Sequence, residues 1–195
     1  MVICFYHKSE NRLKYFCPFL IGVCLFEGMG KFFKIYLGYN TFIYNVYFVF
    51  AISYYIFIFR KEIFNLNISN RRINELIVFW IICVVSFLYY HDFNRLNAIA
   101  YNLGMLIVIF LILRYFYLMV IGENYTSLLT LPHFWLACGI LLFYSSAFPV
   151  LSFTNILILN DRALAKAFQK WVQYGNLFIA LSYNLVSLCY YFKKV

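Results

Sequence analysis

NAIAYNLGMLIVIFLILRYFYLMV, residues 97–120, carries one charged side chain, Arg114, in two dozen positions. A helix needs roughly 20 mainly apolar residues to cross a hydrocarbon core about 30 Å thick. Backbone N–H and C=O groups find no water there, so only helices and closed barrels can span. The stretch shows no polar alternation of period two, and it therefore reads as helix. Five more apolar runs share its character, at 15–37, 42–59, 75–90, 133–158 and 171–192. The expected fold is all-α, a polytopic integral membrane helix bundle with a transmembrane helical domain of six spans over 15–192. A cytoplasmic N-terminal tail at 1–14 and a C-terminal tail at 193–195 complete it.

Composition agrees. Hydrophobic residues make up 65% of the chain and charged residues 12%, against about 25% charged in an average soluble domain. The first run is longer than the apolar region of a signal peptide, and no small-residue cleavage site follows it, so no cleavable leader is expected. The six cysteines form no C-x-x-C pair, and five of them lie in or beside apolar runs. They are expected to pack as small hydrophobes, with no disulfide framework, metal site or cofactor.

The net charge of +9 is spread over helix ends rather than gathered on one face. It fits topology signals and anionic headgroups better than nucleic acid, and no direct nucleic-acid binding is expected. With six spans both termini share a side. That side takes Lys8, Arg12, Lys14, Arg60, Lys61, Arg71, Arg72, Lys193 and Lys194. The other takes Lys31, Lys34, Arg95, Arg162, Lys166 and Lys170. The positive-inside rule then makes both termini cytoplasmic. The loop 60–74 is the most polar segment, and its Arg60, Lys61, Arg71 and Arg72 form the expected docking face for a cytoplasmic protein. Segment 159–170 reads as a short amphipathic connection into Trp171. Tyr36, Tyr39, Tyr89, Tyr90, Trp171, Tyr190 and Tyr191 suit interfacial anchoring.

Glu27 lies well inside the first run, where an ionised carboxylate is costly and a functional role is the default hypothesis. Lys31 follows at the favourable i+4 spacing. Three readings stand: an intrahelical pair near the interface, a hydrogen bond to another helix, or handling of a proton or ion. Arg114 either snorkels to the interface or needs an acid, and Glu27 is the one acid well inside a run. Asn102, Asn155, Asn176 and Asn184 read as interhelical hydrogen-bonding groups. Pro132, with Thr130 as its cap, suits a helix start. Pro149 should bend its helix, with Ser145 and Ser146 bonding back to ease it. His91-Asp92 is the nearest approach to a hydrolytic pair, and no nucleophile elbow, phosphate loop or zinc motif accompanies it.

Two stretches resemble a family of polytopic membrane segments common in Bacteroidota, found alone or ahead of the catalytic part of sensor histidine kinases. In EGMGKFFKIYLGYNTFIYNVYFVFAISYYIFIFR, residues 27–60, Glu27, Gly30, Asn40, Tyr44 and Asn45 carry the likeness. In FWLACGILLFYSSAFPVLSFTN, residues 134–155, it is carried by Phe134, Trp135, Gly139, Tyr144, Ser145 and Asn155. The family usually has one more N-terminal span, where this chain has MVICFYHK. The resemblance implies a non-enzymatic sensory or partner module in a bacterial inner membrane. The alternative is a small oligomeric channel or permeability effector, including an accessory of an antiviral system. A lipid enzyme using His91 and Asp92 is a third reading. The expected partners are the lipid bilayer, a cytoplasmic protein and further copies of the chain.

Overall fold

The computed structural model describes residues 16–65, 71–90, 98–121, 131–160 and 162–192. Six helices account for nearly all of them: α1 (Phe16–Leu37), α2 (Thr41–Asn65), α3 (Arg71–Tyr90), α4 (Ala98–Ile121), α5 (Pro132–Asn160) and α6 (Arg162–Phe192). No strand occurs among the described residues. Four stretches are long and apolar enough to cross a membrane: Phe16–Leu37, Thr41–Lys61, Ile99–Ile121 and Pro132–Val150.

Three boundaries differ from the sequence reading. The 60–74 loop is mostly helix, because α2 runs on to Asn65 and α3 begins at Arg71. Most of the amphipathic connection at 159–170 is helical as well: α5 runs to Asn160, and α6 starts at Arg162 and continues through Trp171. Ala163, Ala167 and Leu164 are good helix formers, and propensity prevails where a polar face suggested a break. Pro132 opens α5 as expected, with Phe134 N–H donating to the Leu131 carbonyl at 3.1 Å. Pro149 lies inside α5, and the helix is assigned unbroken through it. The N-terminal tail, His91-Asp92, Thr130 and residues 193–195 lie outside the described residues.

The packing order is α1–α2–α4–α5–α6, with α3 resting on α4 and α2. The buried stripe of α2, Phe48, Ile52, Tyr55 and Phe59, recurs every three or four residues and faces α4. Phe48 stacks on Tyr101 and Phe59 tilts against Tyr115, so α2 and α4 run parallel. Phe16 and Phe19 meet Tyr183 edge-on, which brings the first half of α1 back to α6.

Lipid tails are as apolar as leucine, so burial alone does not hold such helices together. Close van der Waals approach and interhelical hydrogen bonds do. Glycines mark the close approaches here. On α5, a Cβ at Gly139 would collide with the Ser182 side chain of α6. One step along, Gly175 of α6 lies against Phe143 and Ser146 of α5, fixing the antiparallel register of the pair. On α4, a Cβ at Gly104 would lie 2.9 Å from Trp80 Nε1 and 3.1 Å from Phe48. That glycine is what admits the indole of α3.

Overpacking at a close contact costs typically 1–3 kcal/mol. Gly139→Val should therefore lower the melting temperature of the purified protein, read by thermal scanning in detergent. Gly139→Ala should be milder, and adding Ser182→Gly to it should recover most of the loss. Equal melting of all variants would remove the α5–α6 contact from this account.

Candidate functional site

The α1–α2 corner is built from the residues that carry the family likeness in the first stretch. Asn40 Nδ2–H donates to the Gly30 carbonyl at 3.3 Å. Its own carbonyl accepts from Tyr44 N–H at 3.3 Å, opening α2. Tyr44 packs on Gly30, where a Cβ would stand 3.2 Å from the phenol oxygen. Its hydroxyl donates to the Glu27 carboxylate. Tyr47 and Tyr101 lie within electrostatic reach of the same carboxylate. Glycine serves twice here. Gly30 leaves room for the phenol, and Gly38, at φ 78°, reverses the chain in the left-handed region that L side chains avoid.

This corner changes the depth assigned to Glu27. The Asn40–Gly30 bond puts Asn40, the residue before α2, within one side-chain length of the Gly30 carbonyl. Glu27 is three residues below Gly30, or about 4.5 Å at 1.5 Å per residue. It therefore sits one turn under the top of α2 rather than deep within the bundle, and its side chain is exposed. Of the three sequence readings, the geometry carries the hydrogen bond to another helix. The ion pair with Lys31 is not formed among the described residues. Both side chains point outward, and the carboxylate turns to the phenol of Tyr44.

Arg114 does not meet Glu27. Tyr101 is the α4 residue within reach of the acid. Arg114 follows it thirteen residues on, about 20 Å down the helix. The half-buried guanidinium lies 5.2 Å from the centroid of the Tyr117 ring, one turn nearer the end of α4. A cation over a ring face, within snorkelling distance of a helix end, needs no acid.

The asparagines divide. Asn102 Nδ2–H donates across to Ser152 Oγ of α5 at 2.9 Å, as an interhelical partner should. Ser152 in turn donates to the Phe148 carbonyl at 2.7 Å. Asn184, by contrast, donates to the Ala180 carbonyl of its own helix. Asn176 is exposed, and the side chain of Asn155 lies outside the described residues. Ser146 bonds back to the Phe143 carbonyl, one turn before Pro149.

Sequence reasoning gave tyrosines a role only as interfacial anchors and missed the bundle's polar centre. Tyr55 of α2 and Tyr183 of α6 share a hydrogen bond at 2.5 Å. Tyr144 of α5 meets the Tyr55 ring edge-on, and Phe19 of α1 stacks on Tyr54 at 3.8 Å. Four helices thus converge on one aromatic cluster. Sequence offered little signal for it, because α2 is apolar on nearly every face and the stripe Phe48, Ile52, Tyr55 and Phe59 emerges only from burial. Of the second family-like stretch, Gly139 and Tyr144 are buried on opposite contacts, the first against Ser182 and the second against Tyr55. Phe134 and Trp135 are half-buried at the start of α5, with Phe134 edge-on to Phe116 of α4.

At the other end of α2, Arg60 is exposed and Lys61 half-buried. Arg71 and Arg72 open α3, their side chains outside the described residues. Among the described residues no group of three His, Cys, Asp or Glu side chains is arranged to hold a metal ion. No protein-family model matches the chain, and no curated protein or solved structure is significantly similar to it.

Interhelical hydrogen bonds in membranes are worth about 0.6 kcal/mol on average and up to about 1.7. A double-mutant cycle of Glu27→Gln with Tyr44→Phe should give a coupling energy of that size. The cycle of Glu27→Gln with Arg114→Leu should be additive. Coupling in the second cycle and none in the first would reverse the assignment.

Proposed function

We propose that the protein is a non-enzymatic sensory or regulatory module of a bacterial inner membrane. In this reading it crosses six times, and both termini are cytoplasmic. Helices α3 and α6 join the four apolar stretches as spans. At 20 and 31 residues they reach about 30 and 46 Å, enough for the hydrocarbon core. The observation that carries the proposal is the filled aromatic centre. Tyr55, Phe19, Ile52, Phe59 and Met105 are fully buried where α1, α2, α4, α5 and α6 meet. A close-packed core of this kind is suited to passing a rigid displacement between the ends of the bundle. It is poorly suited to conduction along the axis of a single chain.

The docking end is the α2–α3 corner. Arg60, Lys61, Arg71 and Arg72 bracket a connection of five residues, 66–70. Four cations at one helical corner are chemistry for an acidic surface on a cytoplasmic protein.

The test is capture of the tagged chain from native membranes in mild detergent, with mass spectrometry of what accompanies it. A stoichiometric cytoplasmic protein is expected. It should be lost when Arg60, Arg71 and Arg72 are all changed to Glu, without loss of the chain from the membrane. A homo-oligomer that arrives alone and passes ions in planar bilayers would replace this reading with the channel.

A further inference from the structure

The second half of α6 has three unlike sides. Gly175 and Ser182 are buried against α5. Tyr174, Leu177 and Leu181 are exposed and apolar, a side suited to lipid. Asn176, Ala180 and Asn184 form the third side. At i, i+4 and i+8 they make one row, and all three are exposed. Ala180, the middle of the row, stands about 140° round the helix from Gly175, at about 100° per residue. The row therefore points away from α5. It is also deep. The apolar run 171–192 has its midpoint between Leu181 and Ser182, so Asn184 and Asn176 lie about 4 and 8 Å from that midpoint along the axis. Both fall within a hydrocarbon core about 30 Å thick.

A side-chain amide offers two N–H donors and a carbonyl acceptor, and hydrocarbon satisfies none of them. Asn184 meets one need by donating to the Ala180 carbonyl at 2.9 Å. Asn176 makes no side-chain hydrogen bond among the described residues. Polar residues within spans face protein or water rather than lipid, so this row marks a surface that a further element covers. We infer that the element is a second copy of the chain, joined two-fold with α6 against α6. Insertion gives both copies one direction in the membrane. The two-fold axis then follows the membrane normal, the two α6 helices run parallel, and equivalent residues stand opposite each other. Asparagine both donates and accepts, so a row of asparagines is complementary to itself, as a row of like charges is not. Ala180, small and between the two, lets the backbones approach closely enough for short amides to meet. The inference rests on α6 being a span, as proposed above, but on neither the orientation of the chain nor any cytoplasmic partner.

The experiment mixes full-length chains carrying a donor or an acceptor fluorescent protein at the C-terminus in phosphatidylcholine vesicles. Energy transfer is followed against the protein-to-lipid ratio, and a monomer–dimer curve is expected. Asn176→Leu with Asn184→Leu should move its midpoint roughly tenfold toward higher protein, at about a factor of three for each asparagine pair, without lowering the melting temperature of the diluted chain. Ala180→Leu should move it in the same direction. Asn176→Gln with Asn184→Gln should stay near the native midpoint, since the amide groups are kept. An unmoved midpoint in the Leu variant would overturn the inference, as would a chain monomeric at every ratio or a curve that requires more than two copies. Reporter fusions after residue 160 and after residue 195 test the span separately. Reporters on one side of the membrane would remove α6 as a span and this inference with it. Reporters on opposite sides, with no dimer, would remove the inference alone.

Discussion

In hydrocarbon an apolar side chain gains nothing from the hydrophobic effect by leaving lipid for protein. What remains to hold this bundle together is close backbone approach and the pairing of polar groups that lipid cannot solvate. The structure meets that constraint at two kinds of place. Glycine removes a side chain where helices must touch, at Gly139 against Ser182 and at Gly104 against Trp80. Hydroxyl and amide groups then bridge helices far apart in sequence, Tyr55 to Tyr183 and Asn102 to Ser152. Buried polar atoms without a hydrogen-bond partner among the described residues include Trp80 Nε1 and Asn102 Oδ1. Both lie on the α3–α4–α5 side.

The same constraint sorts the charged residues. A charge within the bilayer either finds a partner or reaches an interface. Arg114 takes the second course, lying against the Tyr117 ring near one end of α4. Glu27 combines the two. It is one turn from the top of α2 and is hydrogen-bonded by Tyr44. Their separation along the bundle axis explains why scarcity of acids was a poor guide to pairing. Of the two readings of Arg114, the snorkelling one fits its place beside Tyr117, and the contact with Glu27 does not fit the separation.

The α1–α2 corner is a compact local unit. Glu27, Gly30, Asn40 and Tyr44 lie across two helices and a turn, and each touches another of the set. Together they make a unit of chain reversal: a glycine to seat a phenol, an amide to fasten the turn, and an acid to receive the hydroxyl. Past this corner the last two turns of α1 leave Phe32, Ile35 and Tyr36 exposed.

Long apolar runs determine helix by themselves, because the backbone in lipid has no other way to satisfy its own polar groups. The all-helical class, the start of α5 at Pro132 and the apolar stretches of α1, α2, α4 and α5 were legible on that ground alone. Local propensity also held the information that 162–170 is helical, although its polarity disguised it. The depth of Glu27, the separation of Arg114 from it and the inward Tyr55–Tyr183 pair were decided only by the tertiary structure. Each depends on which helices are neighbours and at what height they meet. In a chain apolar on nearly every face, periodicity does not encode either quantity, because lipid-facing and protein-facing residues are drawn from the same side chains.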